Sequence, residues 1–194
     1  MKKILISLMA IALVIGLVGA GTAAWFSDTE TSGDNIFTAG TVEISLTGDA
    51  AVGVVIEDIA PGDTVSAYLR VENDGSLPLW FAGYIDSISV SEPLFSTLWT
   101  ATVTTDPDDY YGYEVEIYSG PLAGLLGAAN ALIDDEYPPL PPGQYAGYTL
   151  ELTLDGPGTG NEYQGASMTI VIGVNAVQSD NIGWDAAKAL LTTP

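Results

Sequence analysis

The chain has 194 residues, of which 47% are hydrophobic and 15% are charged, and it contains no cysteine and no histidine. A chain of this length and apolar content is expected to form one domain with a sizeable core. The missing residue types exclude a disulfide framework, thiol catalysis, His-dependent triads and the usual zinc-protease motif. Four basic residues against 25 acidic ones give a net charge of −21, which argues against a nucleic-acid partner.

The N-terminus has the three parts of a secretory signal peptide. Two lysines precede an apolar run from Ile4 to Val18, and small residues follow up to Ala24. A membrane anchor is the alternative, but a spanning helix needs about 20 apolar residues and this run is shorter. We therefore predict that residues 1–24 are a signal peptide cleaved between Ala24 and Trp25. The protein is then secreted and keeps no stable membrane anchor after processing.

Residues 25–36 are predicted to be an N-terminal arm. Two aromatic residues begin the arm and polar residues follow, so it suits an internal strand poorly. Burying a large apolar side chain contributes about 1.5–3 kcal/mol, so the aromatic head is expected to find a partner surface. The arm is a candidate donor strand for an open sheet edge of a neighbouring subunit, although it could also fold back onto its own domain. The predicted subunit contacts are Trp25, Phe26, Ser27, Asp28, Thr29, Glu30 and Ile36.

Residues 37–194 are predicted to form a β-sandwich domain. Gly- and Pro-rich turns separate eight strand-like stretches: Thr41–Leu46, Ala51–Ile56, Val65–Val71, Leu79–Val90, Trp99–Thr104, Tyr113–Tyr118, Tyr145–Leu154 and Met168–Val177. Leucines at helical spacing predict a short helical insertion over Leu122–Ile133, and a short C-terminal helix is expected around Ala186–Leu191. The fold class is all-β, an antiparallel β-sandwich of jelly-roll type, with an immunoglobulin-like sandwich as the alternative.

One pattern of a turn followed by a strand occurs twice in the sequence, although the similarity is weak. Pro61-Gly62 and Pro142-Gly143 each lie ten residues before a matching position in a long strand, Val71 in the first and Leu152 in the second. A turn followed by a long strand, used twice, predicts two related hairpins on opposite sheets of the sandwich.

Two acidic runs are the candidates for a metal site, and calcium is the metal that their oxygen ligands would suit. The candidate ligands are Asp106, Asp108 and Asp109 in the first run and Asp134, Asp135 and Glu136 in the second. Neither run has the calcium spacing of a helix–loop–helix site, and a solvated acidic loop is the alternative interpretation. No pair of acids stands out as a glycosidase pair, so the sequence predicts no catalytic residue and no cofactor other than calcium.

The front of the chain resembles the TasA/camelysin family. The resemblance rests on Gly21–Glu30 (GTAAWFSDTE) and Phe37–Ile44 (FTAGTVEI), and further motifs follow in order at Ile59–Asp63, Val71–Leu77 and Asn161–Gly165. It implies a jelly-roll subunit of extracellular biofilm-matrix filaments, processed by a SipW-type signal peptidase, whose N-terminal segment pairs as a strand with the next subunit. Some family members are classed as metallopeptidases, but a chain without histidine or cysteine lacks the ligands of a conventional zinc peptidase.

Three functions from different classes follow. The leading hypothesis is a non-enzymatic structural subunit that polymerises with itself into cell-surface or biofilm-matrix filaments. The first alternative is a monomeric secreted or surface adhesin that uses aromatic residues around Trp80-Phe81 or Trp99. The second alternative is a secreted hydrolase, either a camelysin-like peptidase or a glycosidase.

Overall fold

The structure, a computed structural model, describes residues 40–132 and 138–193. The predicted signal peptide and its cleavage site, the arm at 25–36 and the acidic run at 134–136 lie outside the described residues. Within the described ranges, no helix has the length and apolar content needed to cross a membrane.

The described chain forms two antiparallel sheets. The strands are β1 (Ile44–Thr47), β2 (Val54–Ile56), β3 (Thr64–Asn73), β4 (Leu79–Val90), β5 (Trp99–Thr105), β6 (Glu116–Pro121), β7 (Tyr145–Leu154) and β8 (Met168–Gln178), and one α-helix, α1, spans Trp184–Leu191. One sheet has the order β1-β3-β7-β5-β6 and the other β2-β8-β4. Neighbouring strands such as β3 and β7, or β4 and β8, are distant in sequence, as they are in jelly rolls. The predicted all-β sandwich is confirmed.

One apolar core lies between the sheets. Side chains alternate across each strand, so Leu69 of β3 and Leu152 of β7 face Ile85 of β4 and Ile170 of β8 in a single buried cluster. Trp99 belongs to this core and is only 1% exposed. The prediction that Trp99 is an adhesin contact is therefore wrong, because its indole packs edge-to-face on Phe95 with 5.7 Å between ring centroids.

The prediction of a helical insertion over Leu122–Ile133 is also wrong, because the described part of this segment contains no α-helix. The segment contains two short 3-10 turns, Leu122–Leu125 and Ala128–Asn130. Between them Gly127 has φ +83°, a conformation that cannot continue an α-helix. The leucine spacing that suggested a helix instead reflects burial of Leu122 and Leu125 under the sandwich. The C-terminal helix is present and begins two residues earlier than predicted.

The two Pro-Gly turns are related, but they serve one sheet rather than two. Strands β3 and β7 are antiparallel neighbours, and each turn closes the end of the other turn's strand. The Gly62 N–H donates to the carbonyl of Leu154 at 3.0 Å, and the Gly143 N–H donates to the carbonyl of Asn73 at 2.8 Å. The reverse bonds, from Leu154 to Asp63 and from Asn73 to Gln144, are both 3.0 Å long. The prediction of hairpins on opposite sheets is therefore corrected to a reciprocal pair within one sheet.

Candidate assembly surface

The chain is anchored to the domain immediately after the predicted arm. The carbonyl of Glu43 accepts hydrogen bonds from the N–H groups of Asp74 and Gly75, at 3.0 and 3.1 Å. The carbonyl of Thr41 accepts two more from the N–H groups of Ser76 and Leu77, and its own N–H donates to the Ser76 hydroxyl at 2.9 Å. We call residues 41–43 the arm root and residues 73–77 the root loop. Together they hold the first described residues of the chain on the sandwich.

A buried asparagine holds the root loop in shape. Asn73 has no exposed surface, and its side-chain amide donates to the carbonyls of Leu77 and Leu140, both at 2.9 Å. Its side-chain oxygen accepts from the N–H of Gly75 at 3.0 Å. A buried polar group has to be paired in this way, and here the pairing closes the root loop on itself and ties it to the segment at Leu140. The sequence analysis placed Asn73 in a family motif but did not identify this role.

Glycine is needed where the arm root meets the root loop. A Cβ atom at Gly75 would overlap the carbonyl oxygen of Thr41 and lie 2.9 Å from the backbone nitrogen of Glu43. A Cβ at Gly40 would overlap the side chain of Leu77. Both glycines belong to stretches that carry the family resemblance. Gly75 therefore allows two backbone segments to approach closely, and Gly40 leaves room for the side chain of Leu77.

The sandwich has unpaired sheet edges. The short strands β1 and β2 end the two sheets on one side, whereas β6 and β4 are the other edge strands. With twelve residues, β4 is the longest edge strand, and along its outer side the described chain forms isolated bridges at Leu126, Leu132 and Leu140 rather than a continuous ladder. Unpaired backbone groups on a long edge are a template for adding another strand.

The acidic run at 106–109 forms a hydrogen-bonded loop. Asp106 accepts bonds from the Tyr68 hydroxyl at 2.7 Å and from the N–H of Asp108 at 2.9 Å. Asp109 accepts from the N–H groups of Tyr111, Gly112 and Gly147, at 2.7, 3.2 and 2.9 Å. All four carboxylate oxygens of these two residues therefore have protein partners.

The loop also fixes Tyr68. Burial raises the pKa of the Tyr68 hydroxyl, and the hydrogen bond to Asp106 and the negative charge of that carboxylate raise the same pKa further. A Cβ at Gly147 would lie 2.5 Å from the Tyr68 hydroxyl, so a side chain there would displace this contact.

Among residues 40–132 and 138–193, no three acidic side chains come close enough together to hold a metal ion. The calcium prediction at Asp106, Asp108 and Asp109 stays a prediction, and its counterpart at Asp134, Asp135 and Glu136 lies outside the described residues.

Two comparisons with known proteins bear on the arm and its root. A family model described as camelysin metallo-endopeptidase matches residues 1–85. A relative named major biofilm matrix component, from Bacillus subtilis (strain 168), is 36% identical over 78 residues, which are 40% of this chain. The match spans 29% of the relative's own length. These matches confirm the resemblance to the TasA/camelysin family, and the family model carries it over residues 1–85.

Proposed function

We propose that the chain is a structural subunit of an extracellular biofilm matrix, polymerising head to tail through its N-terminal arm. The name of the Bacillus subtilis relative supports the matrix role. The observation that carries the proposal is the geometry of the arm root. Residues 41–43 are fixed on the root loop, and the residues before them have the composition of a strand that needs a partner edge.

The arm is long enough to reach a neighbouring molecule. Residues 25–39 span at most about 50 Å when extended, at roughly 3.3 Å per residue. The arm and the sheet edge are different surfaces of the subunit, so their contact is heterologous and propagates without closing. A chain of subunits held in this way is a filament.

Shortening the arm tests the proposal. Deleting Trp25–Asn35 from the mature protein should leave a folded monomer, with filaments lost in electron microscopy and size-exclusion chromatography. A Trp25→Ala/Phe26→Ala variant keeps the arm's length and should lose filaments as well. The control, Thr31→Ala/Ser32→Ala, changes two polar arm residues and should polymerise normally.

Two results would contradict the proposal. Normal filaments from the chain without its arm would show that the arm does not hold them together. A wild-type chain that stays monomeric under all conditions would favour the binding-module hypothesis. Of the aromatic residues suggested for that hypothesis, Trp80 already packs against Trp184 of α1, with ring centroids 5.1 Å apart.

A peptidase is the second candidate, because the family model that matches the chain carries that name. The chain has no histidine and no cysteine. A metallopeptidase here would need an all-carboxylate site, and the described ranges hold no group of three acids suited to one. Casein hydrolysis by the purified protein, measured with and without a chelator, separates the two functions. Chelator-sensitive turnover that copurifies with the chain would support the peptidase.

A further inference from the structure

An apolar cavity of about 90 Å³ lies between the two sheets, beside strand β4. Ile85 and Val174 line it from the three-stranded sheet, and Ile117, Tyr148 and Leu150 line it from the five-stranded sheet. Within residues 40–132 and 138–193, no charged side chain lines the cavity. Concave sites with a mainly apolar and aromatic lining are the usual form of a small-molecule site.

Gly83 keeps part of this space empty. It lies within β4, opposite Val174, and it lines the cavity. A Cβ atom at Gly83 would meet no atom within 4 Å, and the φ of Gly83 is not positive, so neither crowding nor backbone conformation requires glycine here. Glycine inside a strand weakens the strand and often marks the close approach of a ligand. The space that it leaves free is therefore the feature that explains this glycine.

The cavity can be reached from solvent. Phe81, Tyr148 and Ile172 pack against the core between the sheets, yet each of them is only half-buried. Trp80 precedes Phe81 on β4 and also lines the cavity. Because consecutive residues of a strand point to opposite faces, a cavity lined by both residues extends to the edge of the strand. An apolar ligand that entered there would remove apolar surface from water, which is favourable.

We propose that the cavity binds the unbranched alkyl chain of a soluble, single-chain amphiphile. The cavity is smaller than the roughly 150 Å³ cavity that accommodates a benzene ring, so a six-membered ring is too wide for it. A methylene group needs about the space of a water molecule, about 30 Å³, so the cavity encloses about three of them. The rest of the ligand lies at the edge of β4. This inference goes beyond the proposed function and does not depend on polymerisation.

The charge of the protein selects the head group of the ligand. The chain has a net charge of −21, and Asp86, which follows Ile85 on β4, is exposed. An anionic head group at the edge of β4 would be repelled by this charge, whereas an uncharged or cationic one would not. We therefore expect alkanols and alkylammonium ions to bind, and alkanoates of the same length to bind more weakly.

A series of 1-alkanols, from 1-propanol to 1-octanol, tests the site in the mature protein. Trp80 and Trp184 both line the cavity, so tryptophan emission reports whether it is occupied. Each methylene group that becomes enclosed should raise the affinity about fourfold, and the gain should fall once about three are enclosed. Cyclohexanol has as many carbon atoms as 1-hexanol, but its ring should stay outside. It should therefore bind more weakly than 1-hexanol, by a factor on the order of 50.

Filling the cavity is the second test. Gly83→Val adds a side chain with a high strand propensity where a Cβ has free space, so the variant should fold with an unchanged or higher melting temperature. The added methyl groups occupy the space of the alkyl chain, and the response to 1-hexanol should be lost. The control is Ser89→Val, which places valine at an exposed position of the same strand outside the cavity lining. This control should bind 1-hexanol as the wild type does.

Four results would overturn the inference. They are a wild-type protein that binds no alkanol, cyclohexanol binding as tight as that of 1-hexanol, 1-hexanol binding that persists in Gly83→Val, and binding to phosphatidylcholine vesicles that Gly83→Val abolishes. The last result would assign the cavity to a two-chain membrane lipid. If the wild type binds no alkanol and Gly83→Val loses its filaments, the cavity belongs to a contact between subunits. The proposed function stands or falls separately, with the filaments of the chain that lacks its arm.

Discussion

Replacing Asn73 with alanine should loosen the root loop while leaving both sheets intact. The substitution removes three hydrogen bonds, each contributing about 1 kcal/mol to stability. The N–H of Gly75 keeps its bond to Glu43, and the carbonyl of Leu140 keeps its bond to Leu79. We therefore expect a loss of about 2–3 kcal/mol. For a domain of this size that corresponds to a fall in melting temperature of roughly 4–12 °C.

An aspartate at the same position tests whether the shape of the Asn73 side chain or its hydrogen bonds stabilise the root loop. Asn73→Asp keeps the volume but puts a carboxylate where the amide donated to two carbonyls. Burial and those carbonyls would raise the pKa of the new carboxyl in the folded state above its unfolded value of about 3.9. The carboxyl then binds its proton more tightly in the folded protein than in the unfolded chain. The destabilisation should therefore be smallest below about pH 4, grow as the pH rises through the raised pKa, and level off above it.

Thermal unfolding followed by circular dichroism measures both effects. The control is Asn130→Ala, which removes one exposed bond to the carbonyl of Leu126 and should change stability by no more than about 0.5 kcal/mol. Limited proteolysis should cut the Asn73→Ala variant at the arm root sooner than the wild type. An Asn73→Ala protein that melts within the range of the control would refute this account of the root loop.

Two further predictions concern the loop at 106–109. Tyr68→Phe should cost about 1 kcal/mol at neutral pH, since it removes the hydrogen bond to Asp106. Because the pKa of Tyr68 is raised in the folded state, the wild type should also lose stability as the pH rises above about 10. Melting curves from pH 8 to 11 should show this loss in the wild type, and Tyr68→Phe should remove the contribution that Tyr68 makes to it. If the loop is a solvated acidic loop, millimolar calcium should leave the melting temperature unchanged, because the carboxylates of Asp106 and Asp109 are already hydrogen-bonded. A rise that Asp108→Asn abolishes would instead establish a calcium site, because a ligand specific for the folded state stabilises it.

Alternation of apolar and polar residues, together with flanking turn residues, predicted some strands correctly. The bounds of β4 and β7 agree with the sequence to the residue, because alternation and flanking turn residues mark both ends. Strand β6 begins three residues later than predicted. The hydroxyl of Thr105 donates to the carbonyl of Tyr113 and accepts from the N–H of Val115, which holds that stretch outside the regular ladder.

The assembly surface depends on contacts that no local pattern contains. The sequence analysis included Asn73 only as part of the motif at Val71–Leu77, and its bond to Leu140 joins residues 67 positions apart. An apolar cavity lined by Phe81 and Ile117 likewise exists only because the three-stranded sheet packs on the five-stranded sheet. The arm itself could be proposed from sequence, because its aromatic head and polar body are local features.

The reciprocal Pro-Gly turns have a consequence for the order of folding. On the side of β7, strand β3 cannot be closed by a local hairpin, since the facing residues Thr64 and Thr153 are 89 positions apart. Loop-closure entropy opposes such a pairing until most of the chain is present. The centre of the five-stranded sheet is therefore expected to form late and slowly, in one concerted step that closes both turns. Until then the chain lacks its central β3–β7 pairing and exposes the apolar residues that these strands later bury.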